Sequence, residues 1–342
     1  MHPARVLVVD DSGLMRALFS DLLEQTKDVV VVGTANNAND AREKIAKLRP
    51  NVLTLDVEMP GMSGIEFLEE IMTTNPLPVV MLSSLTQSGA EISLKAFDLG
   101  AVECFGKPLK ASQEQFNETV SALGKIVLAA ANSNIREKIR HREQRAGYAN
   151  FVWNGRIAAF SASMGGIDAL TTLLAGYPAN CPPTIIVLQA EPALVDALIA
   201  RLDRELGCTV CLAQDGASLT QGNIHIAADP ARHIVFDPGE PPKIRLVERD
   251  PIDGVRPSAN LLYGSIARAG VPAVGAVLTG MGDDGAKGLK MMRNASCQTF
   301  VQDRACALVA EAPAAVVALG AAENELPLEE LTAAILNCCR AS

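Results

Sequence analysis

A chain of 342 residues with 49% hydrophobic content is long enough for two cores of about 150 residues each. The formal net charge of −9 argues against the basic face that nucleic-acid binding needs, so we expect no nucleic-acid partner. The chain shows no apolar segment of signal-peptide length at its start and no run near the about 20 residues of a membrane span, which predicts a cytoplasmic protein without membrane insertion.

The first 130 residues contain five short apolar runs, each followed by a pattern typical of an amphipathic helix. We predict strands at residues 6–9, 29–32, 52–55, 79–82 and 101–105. Short apolar strands that alternate with helices favour a parallel sheet covered on both faces. The carboxyl ends of such strands meet at one edge, where α/β proteins place their sites.

Five polar residues follow these strands directly: Asp10, Asp11, Asp56, Ser83 and Lys107. Three clustered carboxylates repel one another and therefore need a cation, and ligation by oxygen atoms alone suits Mg²⁺. A lysine and a hydroxyl nearby would hold the oxygens of a phosphoryl group delivered to Asp56. The alternative is an acidic patch beside a solvated lysine. It is the weaker interpretation, because five residues suited to phosphoryl transfer follow five separate strands.

The runs Val-Val-Asp10-Asp11-Ser, Leu-Asp56-Val-Glu-Met-Pro, Ser83-Ser and Lys107-Pro resemble the motifs of a response-regulator receiver. The resemblance implies a flavodoxin-like domain over residues 1–125, with Asp56 as phospho-acceptor and a sensor histidine kinase as phosphodonor. It also implies that Asp11, Asp56 and the backbone carbonyl of Glu58 hold the Mg²⁺. One position departs from the pattern, because the aromatic residue often found three residues before the lysine is Cys104. The departure puts the usual aromatic switch in doubt, but it does not affect the prediction that Asp56 is phosphorylated.

Residues 126–151 predict a helical and basic linker, which contains the polar stretch Ile135-Arg-Glu-Lys-Ile-Arg-His-Arg-Glu-Gln-Arg145. Mixed charges of this kind are typical of a solvated helix. A membrane-surface or partner-binding role for the stretch is the less favoured alternative.

A second set of strands and helices begins near residue 156. Residues 157–160 predict a strand, residues 161–166 a tight turn and the chain from about 167 a helix. A serine between a strand and a helix, here Ser163, is a known means of exposing a nucleophile near backbone N–H groups that face an oxyanion. Taken alone, the pattern is matched at least as well by a serine that caps a helix.

Two further strands lead to the same predicted edge. The run from Val274 enters the glycine-rich loop Thr279-Gly-Met-Gly-Asp-Asp284-Gly, and the strand at residues 185–189 delivers Ala190. Three strand ends can therefore present a serine, an acid and one intervening group. A catalytic triad needs that third group to be a base that bridges the other two.

These segments, together with Arg256-Pro-Ser258, resemble the catalytic domain of the CheB-type protein-glutamate methylesterases. The resemblance covers the predicted domain at residues 152–342 and implies a doubly wound parallel sheet. It implies Ser163 as nucleophile, Asp284 as triad acid and the Met281 backbone N–H as oxyanion donor. The implied reaction is hydrolysis of glutamyl methyl esters, or deamidation of glutamines, on methyl-accepting chemoreceptors. In that family the unphosphorylated receiver occludes the active site until phosphorylation relieves the block.

The positions at which this chain departs from the family pattern cluster at the predicted catalytic residues. Ala190 replaces the histidine of the family's Gln-His-Met-Pro run, Met164 replaces the threonine after the serine, and Asn260 replaces an acid. Removing the histidine of a serine triad costs about a millionfold in turnover. Normal methylesterase turnover is therefore not expected unless another base takes over.

The chain has four histidines, which are His2, His141, His225 and His233. His2 lies at the start of the receiver, His141 lies in the linker, and His233 matches a histidine that is frequent in the family. His225 stands where the family often has a tyrosine, which makes it the candidate replacement base. The favoured alternative for His225 is a polar strand residue.

Two classes of function remain open. One is a phosphorylation-gated receptor methylesterase and deamidase, and the other is a non-catalytic response regulator whose esterase-like domain binds receptors. The family resemblance favours the first class, and Ala190 favours the second. A serine hydrolase with a different substrate is a distant third.

Eight cysteines are scattered along the chain, and Cys208-Thr-Val-Cys211 has the CxxC form. A zinc site would need a second pair or nearby histidines, which the local sequence does not show. We expect reduced, buried thiols here rather than zinc or redox chemistry.

Overall fold

The computed structural model describes residues 2–83, 87–107, 113–135 and 151–341, of which 87–88 and 113–121 are described by their backbone alone. The chain forms two compact units, Met1–Arg140 and His141–Ser342. Each unit has its own parallel sheet covered by helices, as the composition predicts for a chain with two cores.

The first unit is a five-stranded parallel sheet with a helix after each strand. Its strands are β1 (Ala4–Val9), β2 (Val29–Ala35), β3 (Val52–Asp56), β4 (Val79–Ser83) and β5 (Glu103–Gly106). Its helices are α1 (Gly13–Glu24), α2 (Ala38–Leu48), α3 (Gly64–Thr74), α4 (Gln87–Leu99) and α5 (Gln113–Ala131). The strand order β2-β1-β3-β4-β5 is that of the flavodoxin-like fold, which confirms the predicted fold class.

The five predicted strands are present, with differences at their ends. β5 begins at Glu103 rather than at Ala101, because the N–H of Ala101 closes the preceding helical turn on the Ala96 carbonyl at 2.9 Å. α5 continues to Ala131, so the helix extends beyond the predicted start of the linker at residue 126. The stretch 136–150 of the predicted linker lies outside the described residues, and its role stays a prediction.

Side-chain caps start the first three helices of the first unit. The Ser12 hydroxyl accepts the Met15 N–H at the start of α1, and the Asn37 carbonyl oxygen accepts the Asp40 N–H at the start of α2. Ser63 begins α3 with a reciprocal capping box to Glu66. These caps fix the starts of the three helices directly after the loops that follow β1, β2 and β3.

The second unit is a seven-stranded parallel sheet with a separate hairpin. The sheet contains β6 (Ile157–Ala162), β7 (Thr184–Leu188), β8 (Thr209–Leu212), β9 (Asn223–Ala227), β12 (Ala273–Val277), β13 (Gln298–Gln302) and β14 (Asn324–Leu326). The antiparallel hairpin is made of β10 (His233–Asp237) and β11 (Lys243–Val247). The helices are α6 (Gly166–Leu174), α7 (Pro192–Glu205), α8 (Ala259–Ala269), α9 (Ala286–Asn294), α10 (Glu311–Ala318) and α11 (Leu328–Cys339).

Alternation along the strands directs one set of side chains into a large buried cluster. Ile185 and Val187 of β7 belong to this cluster, together with Tyr263 of α8, Leu289 of α9 and Phe236 of the hairpin. Because neighbouring parallel strands are in register, equivalent positions on β6 and β12 face the same cluster. The hairpin and two helices therefore cover the same part of the sheet.

The order β14-β13-β12-β6-β7-β9-β8 reverses direction between β12 and β6. The chain leaves β6 toward β7 on one side and leaves β12 toward β13 on the other. In open α/β sheets the ligand crevice lies at such a switch point, beyond the carboxyl ends of the strands. β6 extends to Ala162, so the predicted turn at residues 161–166 begins only at Ser163.

A matched pair of substitutions tests the packing of the second unit. Leu170 of α6 is fully buried, whereas Leu319 after α10 is 48% exposed. We expect Leu170→Ala to lower the free energy of unfolding by about 3 kcal/mol, because it leaves a cavity. We expect Leu319→Ala to change it by about 0.5 kcal/mol or less.

Urea unfolding followed by tryptophan fluorescence provides the measurement, because Trp153 is the single tryptophan and belongs to the second unit. Equal shifts in the two variants would contradict the assignment of Leu170 to the core.

Candidate functional site

The first unit brings two buried carboxylates and one lysine together at the carboxyl ends of β1, β3 and β5. The Lys107 Nζ lies 2.9 Å from the Asp10 Oδ2 and 2.8 Å from the Asp56 Oδ2. The backbone N–H of Lys107 donates to the Ser83 carbonyl at 2.8 Å, which fixes the end of β5 against the end of β4. The predicted cluster of strand-end residues is therefore assembled around Lys107.

Burial and charge oppose each other at this lysine. Burial raises the pKa of the Asp56 carboxyl above its usual value, and the bond to Lys107 offsets only part of that effect. Burial would lower the pKa of Lys107, but its hydrogen bonds to Asp56 and Asp10 outweigh burial and raise it. The ammonium of Lys107 therefore stays charged between the two carboxylates, where it can also meet the oxygens of a phosphoryl group.

Carboxylates from β1 and β3 form a candidate metal site. Asp10, Asp11 and Asp56 each offer an oxygen atom, and these atoms lie within 4.8 Å of one another. Asp11 is exposed whereas the other two are buried, so one side of the cluster faces solvent. A set of carboxylate oxygens open to water fits Mg²⁺, which binds few carboxylates and keeps several waters. The N–H of Glu58 donates to the Asp56 Oδ1 at 3.2 Å, which places the Glu58 backbone beside this cluster.

The Ser83 hydroxyl has a partner on α4. Its Oγ lies 3.4 Å from the Ser93 Oγ, and both serines are buried. The Cys104 thiol lies beside the same turn, with its Sγ 3.7 Å from the Ser93 carbonyl oxygen. Ser83 lies at the predicted edge, and its hydroxyl faces Ser93. The sequence contained no periodic signal that would have identified Ser93 as its partner.

One substitution tests the phospho-acceptor. We expect Asp56→Asn to abolish Mg²⁺-dependent labelling by a radioactive small-molecule phosphodonor, because an amide is not a nucleophile toward phosphorus. Asp21→Asn is the matched control, since Asp21 is an exposed carboxylate on α1. We expect the control to be labelled like the unmodified chain. Labelling that persists in Asp56→Asn would refute the assignment.

In the second unit, Ser163 lies at the switch point between β6 and β12. Its backbone N–H donates to the Thr279 carbonyl at 3.2 Å, and its Oγ accepts the Met281 N–H at 2.9 Å. A Cβ at Gly280 would lie 2.3 Å from the Ser163 Oγ, so only glycine permits this approach. The predicted serine and the predicted oxyanion donor are therefore in contact.

A second glycine shapes the turn after Ser163. Gly165 has a φ of +76°, and a Cβ there would lie 2.8 Å from Leu308. The Gly166 N–H then bonds the Ser163 carbonyl at 2.7 Å as α6 begins. No side chain caps α6, so Ser163 is not the N-cap of that helix. This result removes the capping alternative that the sequence left open.

Asp284 is held by four hydrogen bonds from two directions. The Ser258 hydroxyl donates to it at 2.7 Å, and the backbone N–H groups of Ala259 and Asn260 donate at 2.7 and 3.2 Å. These three donors belong to the start of α8, where the helix dipole also favours a negative charge. The fourth donor is the Gln189 Nε2 at 3.1 Å, at the end of β7.

A buried histidine supports this arrangement. The His233 Nδ1 accepts the Ser258 N–H at 3.1 Å, and its Nε2 lies 3.1 Å from the Asp250 carbonyl oxygen. His233 and Ser258 are fully buried, so these bonds are shielded from water. His233 therefore positions the start of α8 and does not face Ser163.

The third strand end carries no base. Ala190 is half-buried and offers only a methyl group, and the preceding Gln189 is the β7-end residue that bonds Asp284. A carboxamide has no basic nitrogen at neutral pH. Among the hydrogen bonds of the described residues, the Ser163 hydroxyl takes part in one, as the acceptor of the Met281 N–H, and it donates to none.

The structure contradicts His225 as the replacement base. His225 lies on β9, which is separated from β6 by β7, so its strand is about 10 Å from the strand that carries Ser163. Its Nδ1 lies 3.3 Å from the Cys211 Sγ, and burial lowers its pKa. The sequence showed His225 to be unusual, but only the strand order shows that it faces Cys211.

Two residues of the site were not predicted in their roles. The sequence identifies Gln189 only as the residue before Ala190, and it identifies Ser258 only as part of the Arg256-Pro-Ser258 motif. The signal for Ser258 was its place directly before an amphipathic helix, where a serine or its neighbouring N–H groups can hold a carboxylate. No local signal connects Gln189 to Asp284, because the two residues are far apart along the chain.

The family assignment rests on this geometry and on matches to known proteins. Residues 158–335 match the model of the CheB methylesterase family, and residues 6–118 match the response regulator receiver domain. The chain belongs to the CheB methylesterase family. The family agrees with the contact between Ser163, the predicted nucleophile, and the Met281 N–H.

Two curated relatives match nearly the whole chain, and a solved structure matches the second unit. A protein-glutamate methylesterase/protein-glutamine glutaminase 1 of Caulobacter vibrioides is 42% identical, with 100% of this chain and 99% of that protein covered. A protein of the same name from Rhizobium johnstonii is also 42% identical, with 98% and 96% covered. The crystal structure of the CheB methylesterase catalytic domain of Thermotoga maritima is 26% identical with a TM-score of 0.51, covering 54% of this chain and 98% of that one.

Among the helices that the structure describes, none combines the length and the apolar character that would let it cross a membrane.

Proposed function

We propose that this CheB-family chain is a phosphorylation-regulated chemotaxis protein directed at methyl-accepting chemoreceptors, and that its second unit has lost normal esterase turnover. The observation that carries the proposal is Ala190, together with the fact that the Ser163 hydroxyl donates no hydrogen bond to any of the described residues. The cytoplasm is the compartment we propose, since sensor kinases deliver phosphoryl groups there.

The chemical argument concerns the proton of Ser163. To attack a glutamyl methyl ester, the hydroxyl must transfer its proton to a base as the oxygen–carbon bond forms. The Met281 N–H could stabilise the oxyanion, but it is a donor and cannot receive a proton. Asp284 already accepts four hydrogen bonds, from the start of α8 and from Gln189, and none of them comes from Ser163. The remaining oxyanion stabilisation retains about 10³ to 10⁴ over water, against a loss of about a millionfold.

The receiver retains what phosphorylation requires. We propose that Asp10, Asp11, Asp56 and the backbone carbonyl of Glu58 hold Mg²⁺, directly or through water. When bound, Mg²⁺ neutralises charge on the phosphoryl oxygens. Asp56 then accepts the phosphoryl group from a sensor histidine kinase, while Lys107 and Ser83 contact its oxygens.

The second candidate function is a phosphorylation-activated methylesterase and glutamine deamidase. It is favoured by the 42% identity to relatives of that name over the full length and by the preserved contact of Ser163 with Met281. For this candidate, a base would have to come from outside the described residues or from the substrate.

Methanol release from methylated chemoreceptors separates the two candidates. The unmodified chain, Ser163→Ala and Ala190→His are compared in the presence of Mg²⁺ and a small phosphodonor. We expect background release from the unmodified chain and from Ser163→Ala. We expect Ala190→His to increase release by about 10² to 10⁴, because it restores a base beside a nucleophile that is already positioned.

The double variant Ser163→Ala/Ala190→His is the control, and it must return to background if the gain depends on Ser163. Robust release by the unmodified chain that Ser163→Ala abolishes would overturn the proposed loss of turnover. Co-sedimentation of the unmodified chain with receptor-containing membranes tests the receptor-directed role separately.

A further inference from the structure

Arg16 of α1 reaches back to the turn between β1 and α1, which we call the acidic turn (Asp10, Asp11 and Ser12). A single nitrogen of its guanidinium, Nη1, donates to the Asp10 carbonyl at 2.8 Å and to the Asp11 carbonyl at 3.0 Å. This nitrogen carries two hydrogens, so it can make both bonds at once. The two carbonyls belong to residues whose carboxylates form the candidate metal site with Asp56.

The helix fixes the position from which Arg16 acts. Its backbone N–H donates to the Ser12 carbonyl at 3.0 Å, and its own carbonyl accepts the Ser20 hydroxyl at 2.7 Å. Side chains on a helix lean toward its amino-terminal end, so Arg16 is directed at the residues that precede α1. The bonds to the acidic turn therefore follow from the place of Arg16 near the start of the helix.

The two carboxylates of the acidic turn are held to different degrees. The Asp10 carboxylate accepts the Ser12 N–H at 2.9 Å and meets the Lys107 ammonium at 2.9 Å. Asp11 is exposed, and among the described residues its hydrogen bond to a side chain is the one that its carbonyl accepts from Arg16. The orientation of the Asp11 carboxylate therefore depends on its backbone, and Arg16 is the side chain that bonds this backbone.

Arg16 has two opposite effects on a cation at this site. Its positive charge repels the cation, so removal of the charge alone would tighten cation binding. Its two hydrogen bonds hold the peptide groups that carry the Asp10 and Asp11 carboxylates, so removal of the bonds would loosen the set of ligands and weaken cation binding. The direction in which the affinity changes therefore shows which effect prevails.

We propose that Arg16 is a positioning residue of the receiver, which holds the acidic turn in the conformation in which Asp10, Asp11 and Asp56 can share a divalent cation. The inference rests on the proposed function, because it concerns the ion that we propose for the phosphorylation of Asp56. Arg16 touches neither the ion nor the phosphoryl group. It acts through the peptide groups of Asp10 and Asp11.

Titration of the full-length chain with Mn²⁺ measures the site directly. Mn²⁺ accepts the same oxygen ligands as Mg²⁺, and electron paramagnetic resonance counts the Mn²⁺ ions that remain free in solution. We expect Arg16→Met to weaken Mn²⁺ binding about tenfold, because a lost partner of the metal ligands typically costs about that much in metal affinity. Methionine keeps an unbranched side chain with a high helix propensity, but it has no N–H donor. We expect excess Mg²⁺ to displace the bound Mn²⁺.

Arg16→Lys separates the hydrogen bonds from the charge. Lysine keeps the positive charge and its N–H donors on a shorter side chain, so we expect part of the lost affinity to return. Arg5→Met is the matched control, because the Arg5 side chain also donates to a backbone carbonyl of the first unit, that of Leu48 at 2.7 Å. Arg5 lies at the opposite end of β1 from the acidic turn, and we expect this variant to bind Mn²⁺ like the unmodified chain.

A second removal keeps the test independent of one variant. Arg16→Gln replaces the guanidinium with a shorter, neutral side chain, and we expect the same weakening of Mn²⁺ binding. Urea unfolding followed by far-UV circular dichroism shows which variants are folded. Unchanged or tighter Mn²⁺ binding in the folded variants without the guanidinium would overturn the proposal, because Arg16 would then act on the ion through its charge alone.

Asp11→Asn distinguishes failure of this proposal from failure of the proposed function. We expect it to weaken Mn²⁺ binding, because it removes the charge of a proposed ligand. If the unmodified chain binds no Mn²⁺, or if Asp11→Asn binds it equally tightly, the metal site of the proposed function is wrong and the role of Arg16 is wrong with it. If Asp11→Asn weakens binding and the Arg16 variants do not, the metal site stands and only the role of Arg16 is wrong.

Discussion

The second unit depends on how one carboxylate is accommodated. Asp284 follows the loop after β12, and its four hydrogen bonds come from the start of α8 and from Gln189 at the end of β7. Asp284 is half-buried, and a carboxylate that loses part of its water needs such partners, because an unpaired charge becomes less favourable as it is buried. His233 extends the same constraint, since it fixes the Ser258 N–H from the hairpin. Four separate elements are thus positioned by one negative charge.

This constraint explains why the site keeps its form without a base. The loop that carries Asp284 also carries the Met281 N–H, and that N–H contacts the Ser163 hydroxyl at 2.9 Å. None of these hydrogen bonds requires a histidine at position 190. The arrangement of Ser163, Met281 and Asp284 is therefore independent of whether position 190 carries a base. The receiver differs, because Lys107 pairs both buried carboxylates and is also the side chain that we propose to contact the phosphoryl oxygens. Its structure and its chemistry depend on the same side chain.

Much of this could be predicted from residues alone. Strand and helix periods predicted the five strands of the receiver, and the rule that sites gather at strand ends brought Asp10, Asp56 and Lys107 together. The contact between Ser163 and Met281 was also expected. The partners of Ser83 and Asp284 were not, because Ser93 and Gln189 are selected by which strands and helices become neighbours. His225 is a polar strand residue, as the favoured interpretation expected, and one intervening strand separates it from the serine.

The sequence by itself determined the two α/β units, and it supplied the predicted phospho-acceptor Asp56 and the alanine at position 190, because these depend on local periodicity and on residue identity. Only the tertiary structure decided what surrounds them. It placed His225 beside Cys211 and brought Gln189 to Asp284. The physical reason is that strand order and register set which distant side chains touch, and neither is encoded in the spacing of residues along the chain.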